Sequence, residues 1–328
     1  MSSLLKIENL TAGYKIGKKK VTAVDDVSLQ LGEGEFLGLA GESGCGKSTL
    51  AYAITGLLEH PGSIFGGNVI FNNEELRTMS STELRKRRWR DFSVVMQASM
   101  SVLNPVMKIR EQFYDTMCAH IKGKNKSFYE KRSREMFDLV NISPEYLNAY
   151  PHQLSGGMKQ RVVIAIALSL RPKLVIMDEP TTALDVVVQR GILQQIDKLR
   201  KELGFSIIFI THDLSLLVEI ADSIAIMYAG KIIEKTGASE IYSNPLHPYT
   251  DGLMNSFPPL VGKRKRLHGI PGHPPDLSID LPGCPFYDRC KKRIEGLCNV
   301  KMPEFKEVEV NHHVACQLYT NKRTEDVG

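Results

Sequence analysis

Residues Gly41–Ser48 read GESGCGKS. It fits G-x-x-x-x-G-K-[ST] and stands after the apolar run EFLGLA (Glu35–Ala40) and before the helix-favouring TLAYAITGLL (Thr49–Leu58). Glycines in such a turn let backbone amides face inward around phosphate oxygens, and the helix N-terminus adds its positive end. Gly41, Ser43, Gly44, Gly46 and Thr49 are therefore candidate nucleotide-binding positions. Lys47 is placed to reach the β and γ phosphates and Ser48 to ligate Mg²⁺. A plain Gly-rich turn is the competing reading, and the flanking strand and helix signals weigh against it.

Outward from this loop, strand-like and helix-like runs alternate. Phe92–Met96, Leu174–Met177 and Ser206–Ile210 read as strands, and Lys47–Leu58, Gly156–Leu170 and Val186–Leu203 as helices. That alternation predicts an α/β domain over residues 1–235. From Lys108 to Tyr150 the strand signal gives way to polar, helix-favouring sequence, as in an inserted helical subdomain, bounded at about 98–165. LVIMDE, Leu174–Glu179, is a buried-type strand ending in two carboxylates: Asp178 suits Mg²⁺ and Glu179 suits polarising an attacking water. After Gly230 the texture changes and prolines gather at Pro258, Pro259, Pro271, Pro274, Pro275, Pro282 and Pro285. We place a second, irregular unit at 236–328.

The bulk numbers exclude other classes. In 328 residues, 42% are hydrophobic and 24% charged, the mix of a folded soluble chain rather than a disordered one. No apolar run approaches the roughly 20 residues of a spanning helix, and MSSLLKIENLTAGY lacks the basic and apolar regions of an export leader. Any membrane role is expected to come through partners. The net charge of +5 is modest; the basic runs Arg85–Arg90 and Lys263–Arg266 read as a solvated helix face and a linker rather than a nucleic-acid surface.

LSGGMKQR, Leu154–Arg161, narrows the nucleotide fold to a family. The chain resembles the ATP-binding subunits of ABC transporters, whose signature is LSGGQ. The order is similar throughout: Tyr14, the phosphate loop, Gln97, LSGG, MDEP (Met177–Pro180), TALD (Thr182–Asp185) and His212. The resemblance implies a RecA-like core with a β subdomain and the inserted helical subdomain, ATP and Mg²⁺ as ligands, and two nucleotides buried between two ATPase subunits. It assigns Tyr14 to adenine stacking, and Ser48, Gln97 and Asp178 to Mg²⁺. Glu179, His212 and Gln97 take catalytic roles, and Asp185 signals across the dimer. Ser155 with the amides of Gly156 and Gly157 would cap the γ-phosphate held by the other subunit, a reasonable anion site at a helix start. Competing readings are a core tyrosine for Tyr14, a loop histidine for His212 and a helix N-cap for Asp185.

Met158 stands where the broad family has Gln, and LSGGM(K/R)QR resembles the variant of peptide-permease ATPases. ABC-type ATPases of DNA repair carry long insertions between loop and signature, which the short stretch from Ser48 to Ser155 leaves no room for. Soluble translation factors of the superfamily carry two cassettes, and this chain has one phosphate loop. An ATP-dependent nucleic-acid clamp is the rival class.

The tail, with NPLHPYTDGLM (Asn244–Met254), GIPGHPPDL (Gly269–Leu277) and CPFYDRC (Cys284–Cys290), is similar to the C-terminal extension of oligopeptide, dipeptide and nickel permease ATPases. The resemblance implies a subunit that powers import of dipeptides or oligopeptides, or alternatively nickel, from the cytoplasmic face of the membrane. Its partners would be a second ATPase subunit, two transmembrane subunits and, indirectly, an extracytoplasmic binding protein, with no nucleic acid. Cys284, Cys290, Cys298 and Cys316 gather four of the chain's six thiols in the tail, and in a reducing cytosol four thiolates around one metal centre suit them better than disulfides. Zinc normally shows closer pairs, and the resemblance favours a [4Fe–4S] cluster over Zn²⁺ and over four unligated thiols. Cys45 reads as a small side chain in the loop and Cys118 as core.

Overall fold

A computed structural model describes residues 3–97, 101–181, 185–256, 269–279 and 281–320. Strands β1 (Ser3–Ile16), β2 (Lys19–Gly32) and β3 (Phe36–Ala40) precede helix α1 (Lys47–Thr55), then β4 (Gly62–Phe71), β5 (Glu74–Glu75) and α2 (Ser81–Arg87). The middle of the chain runs β6 (Phe92–Val95), α3 (Ile109–His120), α4 (Lys126–Leu139), α5 (Gly156–Leu168), β7 (Leu174–Asp178), α6 (Val186–Leu203) and β8 (Ser206–Thr211). It closes with α7 (Leu214–Ile220), β9 (Ser223–Tyr228), β10 (Lys231–Gly237), α8 (Ala238–Ser243), α9 (Pro248–Met254), β11 (Lys306–Glu309) and β12 (His312–Val314). By their contacts these residues form two units, one built from Gly32–Phe36 and Thr78–Phe209, the other from Ser3–Leu31, Leu37–Arg77 and Ile210–Gly328.

In the second unit, β2-β1-β4-β5 form one sheet, with β1 and β4 antiparallel from Leu5↔Phe71 to Tyr14↔Gly62. The N-terminal stretch SLLKIENL is here part of a strand of period two. Leu5 and Ile7 point into the core while Lys6 and Glu8 face outward and pair with each other at 2.5 Å. The same unit carries a ladder in the order β11-β12-β10-β9-β3. β3 runs parallel to β9, Leu37↔Ser223 to Ala40↔Ile226, and all five of its residues are buried, as continuous apolar strands covered on both faces must be. β12 pairs antiparallel with β10 at Glu234↔Val314, so the cysteine-rich tail adds two strands rather than being irregular throughout. Lys263–Arg266, Pro258 and Pro259 lie outside the described residues.

The other unit carries β8, β7 and β6, with β6 and β7 parallel from Phe92↔Leu174 to Val95↔Met177. Between β6 and β7 come α3, α4 and α5. Apolar residues spaced at helical intervals bury Ile109, Phe113 and Met117 on α3 and Tyr129, Met136 and Phe137 on α4. Phe113 and Phe137 meet edge to face at 5.7 Å. Cys118 corrects an expectation: it is exposed, because it follows Met117 by one position and so turns about 100° off the buried stripe. The predicted helix over Lys47–Leu58 ends at Thr55, where Gly56 adopts the left-handed C-cap.

Candidate functional site

β3 delivers the chain into the loop at Gly41, and α1 begins at Lys47. The Lys47 side chain folds back into the loop, 5% exposed, and its ammonium donates to the carbonyls of Gly41 (2.8 Å) and Glu42 (2.9 Å). A buried ammonium needs such partners. Here they hold the positive charge inside the turn, where an anion entering the loop meets it. Cys45 is buried beneath, its thiol pushed up by burial, and its carbonyl accepts the Gly230 amide at 2.9 Å. The small side chain expected in the loop is thus also a packed one. Gly46 sits at φ +108°, and a Cβ there would lie 2.0 Å from the Ala23 carbonyl oxygen, so only glycine lets the helix start at this place.

Ser43 and Gly44 are exposed at the loop's outer edge, and Ser48 is half-buried. Tyr14, on β1, is half-buried with its hydroxyl 3.1 Å from the Thr49 hydroxyl of α1, so its ring stands beside the loop's helix rather than in the core. His212 is exposed just past β8. Its backbone is fixed by a tight turn: Thr211 Oγ1 accepts the Asp213 amide at 3.0 Å, and Asp213 caps α7 through the Ser215 amide.

The remaining candidates belong to the other unit. β7 is wholly buried and ends at Asp178, 0% exposed, and the chain then turns through Glu179 at φ +44°. A left-handed conformation is uncommon for a residue with a side chain and marks a place where geometry is imposed. Gln97, exposed after β6, donates from Nε2 to Glu179 Oε2 at 3.2 Å, so two residues 82 positions apart are brought together as a pair. Ser155 is the N-cap of α5, its Oγ accepting the Met158 amide at 3.3 Å, and Asp185 is the N-cap of α6, accepting the Val188 amide at 3.0 Å. The capping explanation for Asp185 is thus realised. Gly157 packs against Val188, where a Cβ would come within 3.1 Å. Of TALD, Thr182, Ala183 and Leu184 lie outside the described residues.

Cys284, Cys290, Cys298 and Cys316 line one small pocket together with Phe286 and His247. Burial pushes the Cys284 thiol up to about 12 and that of Cys316 up to about 11, and the neighbouring cysteines add to both shifts. The Cys284 amide donates to the Cys298 carbonyl at 2.7 Å, tying the first and third cysteines at the backbone. Among the described residues no three His, Cys, Asp or Glu side chains are gathered closely enough to hold a single ion. The four thiols thus share the lining of one pocket without forming such a group.

Some residues on these surfaces were not singled out by sequence reasoning. Val102 and Val106 are 67% and 79% exposed in the segment after Gln97, and Val186 and Val187 are 73% and 81% exposed at the start of α6. The consecutive valines at 186 and 187 are a signal the sequence contains, though exposure itself is not legible there. Arg289 and Tyr249, which touch Glu42 in the loop, lie within the CPFYDRC and NPLHPYTDGLM stretches, but nothing in those stretches says what they touch.

A family model described as ABC transporter matches residues 24–182, and one described as the C-terminal region of oligopeptide/dipeptide transporters matches 233–298. The dipeptide transport ATP-binding protein DppD of Caldanaerobacter subterraneus subsp. tengcongensis is 42% identical over 325 residues, covering 98% of this chain and 99% of that one. The oligopeptide transport ATP-binding protein OppD of Haemophilus influenzae is 44% identical over 294 residues, 89% of this chain and 90% of that one. Among solved structures, the dimeric bacterial ABC transporter cassette MJ0796 superposes with a TM-score of 0.64 at 29% identity, over 71% of this chain and 98% of that one. The same cassette is also known in a dimeric post-hydrolysis state bound to ADP and Pi, with the same TM-score of 0.64.

Proposed function

The chain belongs to the ATP-binding subunits of ABC transporters, in the branch with the oligopeptide/dipeptide C-terminal region, and from that premise we propose that it is the ATPase of a peptide importer. One observation carries the catalytic part: the phosphate loop is built around a buried, carbonyl-bonded Lys47 at the start of α1. Lys47 and the loop amides would hold the phosphates, Tyr14 would stack on adenine, and Ser48, Gln97 and Asp178 would hold Mg²⁺. Such an ion would supply charge neutralisation to the phosphates.

Glu179, kept in place by Gln97, accepts the proton of a water that attacks the γ-phosphorus. The bond to the bridging oxygen breaks, and ADP and phosphate leave. His212 steadies the γ-phosphate from beside α7. Ser155, Gly156 and Gly157 serve the nucleotide of the second ATPase subunit, and exposed Val186 and Val187 beside Asp185 suit burial against that subunit. Val102 and Val106 suit docking on the transmembrane subunits. No described helix is long and apolar enough to cross a membrane. These partners would hold the chain at the cytoplasmic face, with 1–235 as the ATPase domain and 236–328 as the extension.

For the tail, the convergence of four cysteines on one pocket supports a [4Fe–4S] cluster held by Cys284, Cys290, Cys298 and Cys316. Its role in this reading is structural, fixing a proline-rich segment that has little core of its own.

Transport is tested by reconstituting the complete complex and following ATP-dependent uptake of labelled dipeptides, longer peptides and Ni²⁺. Peptide uptake abolished by Lys47→Ala supports the reading. Uptake of nickel alone would replace the substrate, and steeply salt-dependent binding to DNA or RNA would replace the function class.

A further inference from the structure

The phosphate loop is anchored from the far end of the chain. Glu42, the first residue after Gly41, directs its carboxylate at Arg289, whose two terminal nitrogens donate to Oε2 at 2.6 Å and Oε1 at 2.8 Å. This is the forked, two-bond geometry in which a guanidinium holds a carboxylate most firmly. Arg289 has only 6% of its side chain exposed, so the pair is shielded from the screening that makes surface ion pairs weak.

Every other donor of that guanidinium is committed as well. Nε donates to the Pro271 carbonyl at 2.8 Å, one terminal nitrogen to the Tyr228 hydroxyl at 3.3 Å and the other to the Ile270 carbonyl at 3.4 Å. The plane also lies over the Tyr228 and Phe286 rings at 5.8 and 5.9 Å. The loop has a second prop on the same side: the Glu42 amide donates to the Tyr249 hydroxyl at 2.9 Å. Tyr249 in turn packs at a tilt of 55° on Tyr228, ring centroids 4.6 Å apart, and meets Phe286 at 5.4 Å. Side chain and amide of one loop residue are thus both gripped by the tail.

The loop binds phosphate through amides that must already point inward, so whatever fixes the backbone at residue 42 sets how much ordering is left for the nucleotide to drive. The same Glu42 contributes its carbonyl to Lys47. A loop released at Glu42 would therefore also loosen the ammonium that meets the phosphates. Arg289 further neutralises a carboxylate that would otherwise stand unpaired beside a highly anionic ligand.

We propose that Arg289 is a positioning residue for nucleotide binding, which, from within the cysteine-rich tail and together with Tyr249, holds the phosphate loop in its binding shape through Glu42. The proposal rests on the loop being the nucleotide site. Its reach is intramolecular: the tail becomes part of the nucleotide-binding apparatus rather than an appendage.

The test is calorimetric binding of Mg-ADP to the full chain, with KM and kcat for ATP measured in the assembled complex. Arg289→Ala and Glu42→Ala should each weaken ADP binding about tenfold, and the double variant should be no weaker than the worse single one, since both remove one interaction. KM for ATP should rise in parallel while kcat changes less than threefold. Arg289→Lys, which keeps the charge but not the fork, should lie between. Tyr249→Phe keeps its ring in the aromatic cluster and loses only the hydroxyl, so it should weaken ADP binding severalfold without loosening the tail. These two variants carry the test if Arg289→Ala does not fold.

Unchanged ADP affinity in Glu42→Ala and Arg289→Lys overturns the proposal, and so do additive losses in the double variant. Lys47→Ala separates it from the site assignment. If Lys47→Ala loses ADP and the Arg289 variants do not, the positioning role alone fails; if Lys47→Ala binds normally, the loop assignment fails and the positioning role with it.

Discussion

Replacing Gly46 by Ala should do far more harm than the same change two residues earlier at Gly44, although both glycines have positive φ. At Gly46 the new Cβ would lie 2.0 Å from the Ala23 carbonyl oxygen and 2.8 Å from the Met227 methyl, against 3.4–4 Å for ordinary contact, and φ is +108°. The methionine can swing aside, but the carbonyl belongs to a strand and cannot. Left-handed strain of roughly 1–2 kcal/mol and overpacking of roughly 1–3 kcal/mol together give about 2–5 kcal/mol. At Gly44 φ is +78° and nothing lies within 4 Å, so only the backbone strain of ~1–2 kcal/mol applies. Thermal unfolding of the nucleotide-free chain reads the difference, at roughly 2–4 °C per kcal/mol for a domain of this order of size. Gly46→Ala should fall well below Gly44→Ala in Tm and should lose ADP binding, because α1 can no longer start where Lys47 needs it. Equal Tm values, or normal ADP binding by Gly46→Ala, would refute the argument that the loop is wedged against β2 and β9.

Phe286→Ala should release the tail: the ring is 3% exposed and sits 5.4 Å from both Tyr228 and Tyr249, and deleting a buried Phe costs about 3–5 kcal/mol. Proteolysis confined to the segment after Gly230 would register it, and unchanged protection would count against the packing described. Asp185→Ala removes the α6 cap and should cost ~1 kcal/mol of stability. If Asp185 also signals between subunits, ATP turnover in the complex should fall more than that small loss explains; turnover unchanged leaves only the cap. Anaerobically purified chain should carry about four irons and four acid-labile sulfides, lost in Cys284→Ser. One zinc without iron would replace the cluster with a structural metal site.

What could be read from sequence was local. GESGCGKS, LSGG and the β7 carboxylates declare themselves because their chemistry needs neighbouring residues at fixed spacing. Ser155 and Asp185 show the ambiguity of this kind of reading, since a residue able to cap a helix is also one able to face an anion or a partner. Both turn out to be caps on exposed helix starts. The resemblance gives Gln97 and Glu179 separate roles, and their pairing across 82 positions is visible only in the structure. Nothing local announces the grip of Arg289 on Glu42, which spans 247 positions and depends on β9 and α9 presenting Tyr228 and Tyr249. Cys118 was misread by one step of a helix. The tail strands β11 and β12 were hidden by length and polarity, and they form because β10 offers them an edge.

The central claim is that this chain hydrolyses ATP with Glu179 directing the water. The most direct measurement is Glu179→Gln in an assembled complex whose second ATPase site is disabled, with ATP binding and phosphate release followed together. The account predicts undiminished ATP binding and phosphate release reduced by two or more orders of magnitude, the scale of a lost general base. Phosphate release at the unsubstituted rate would contradict it.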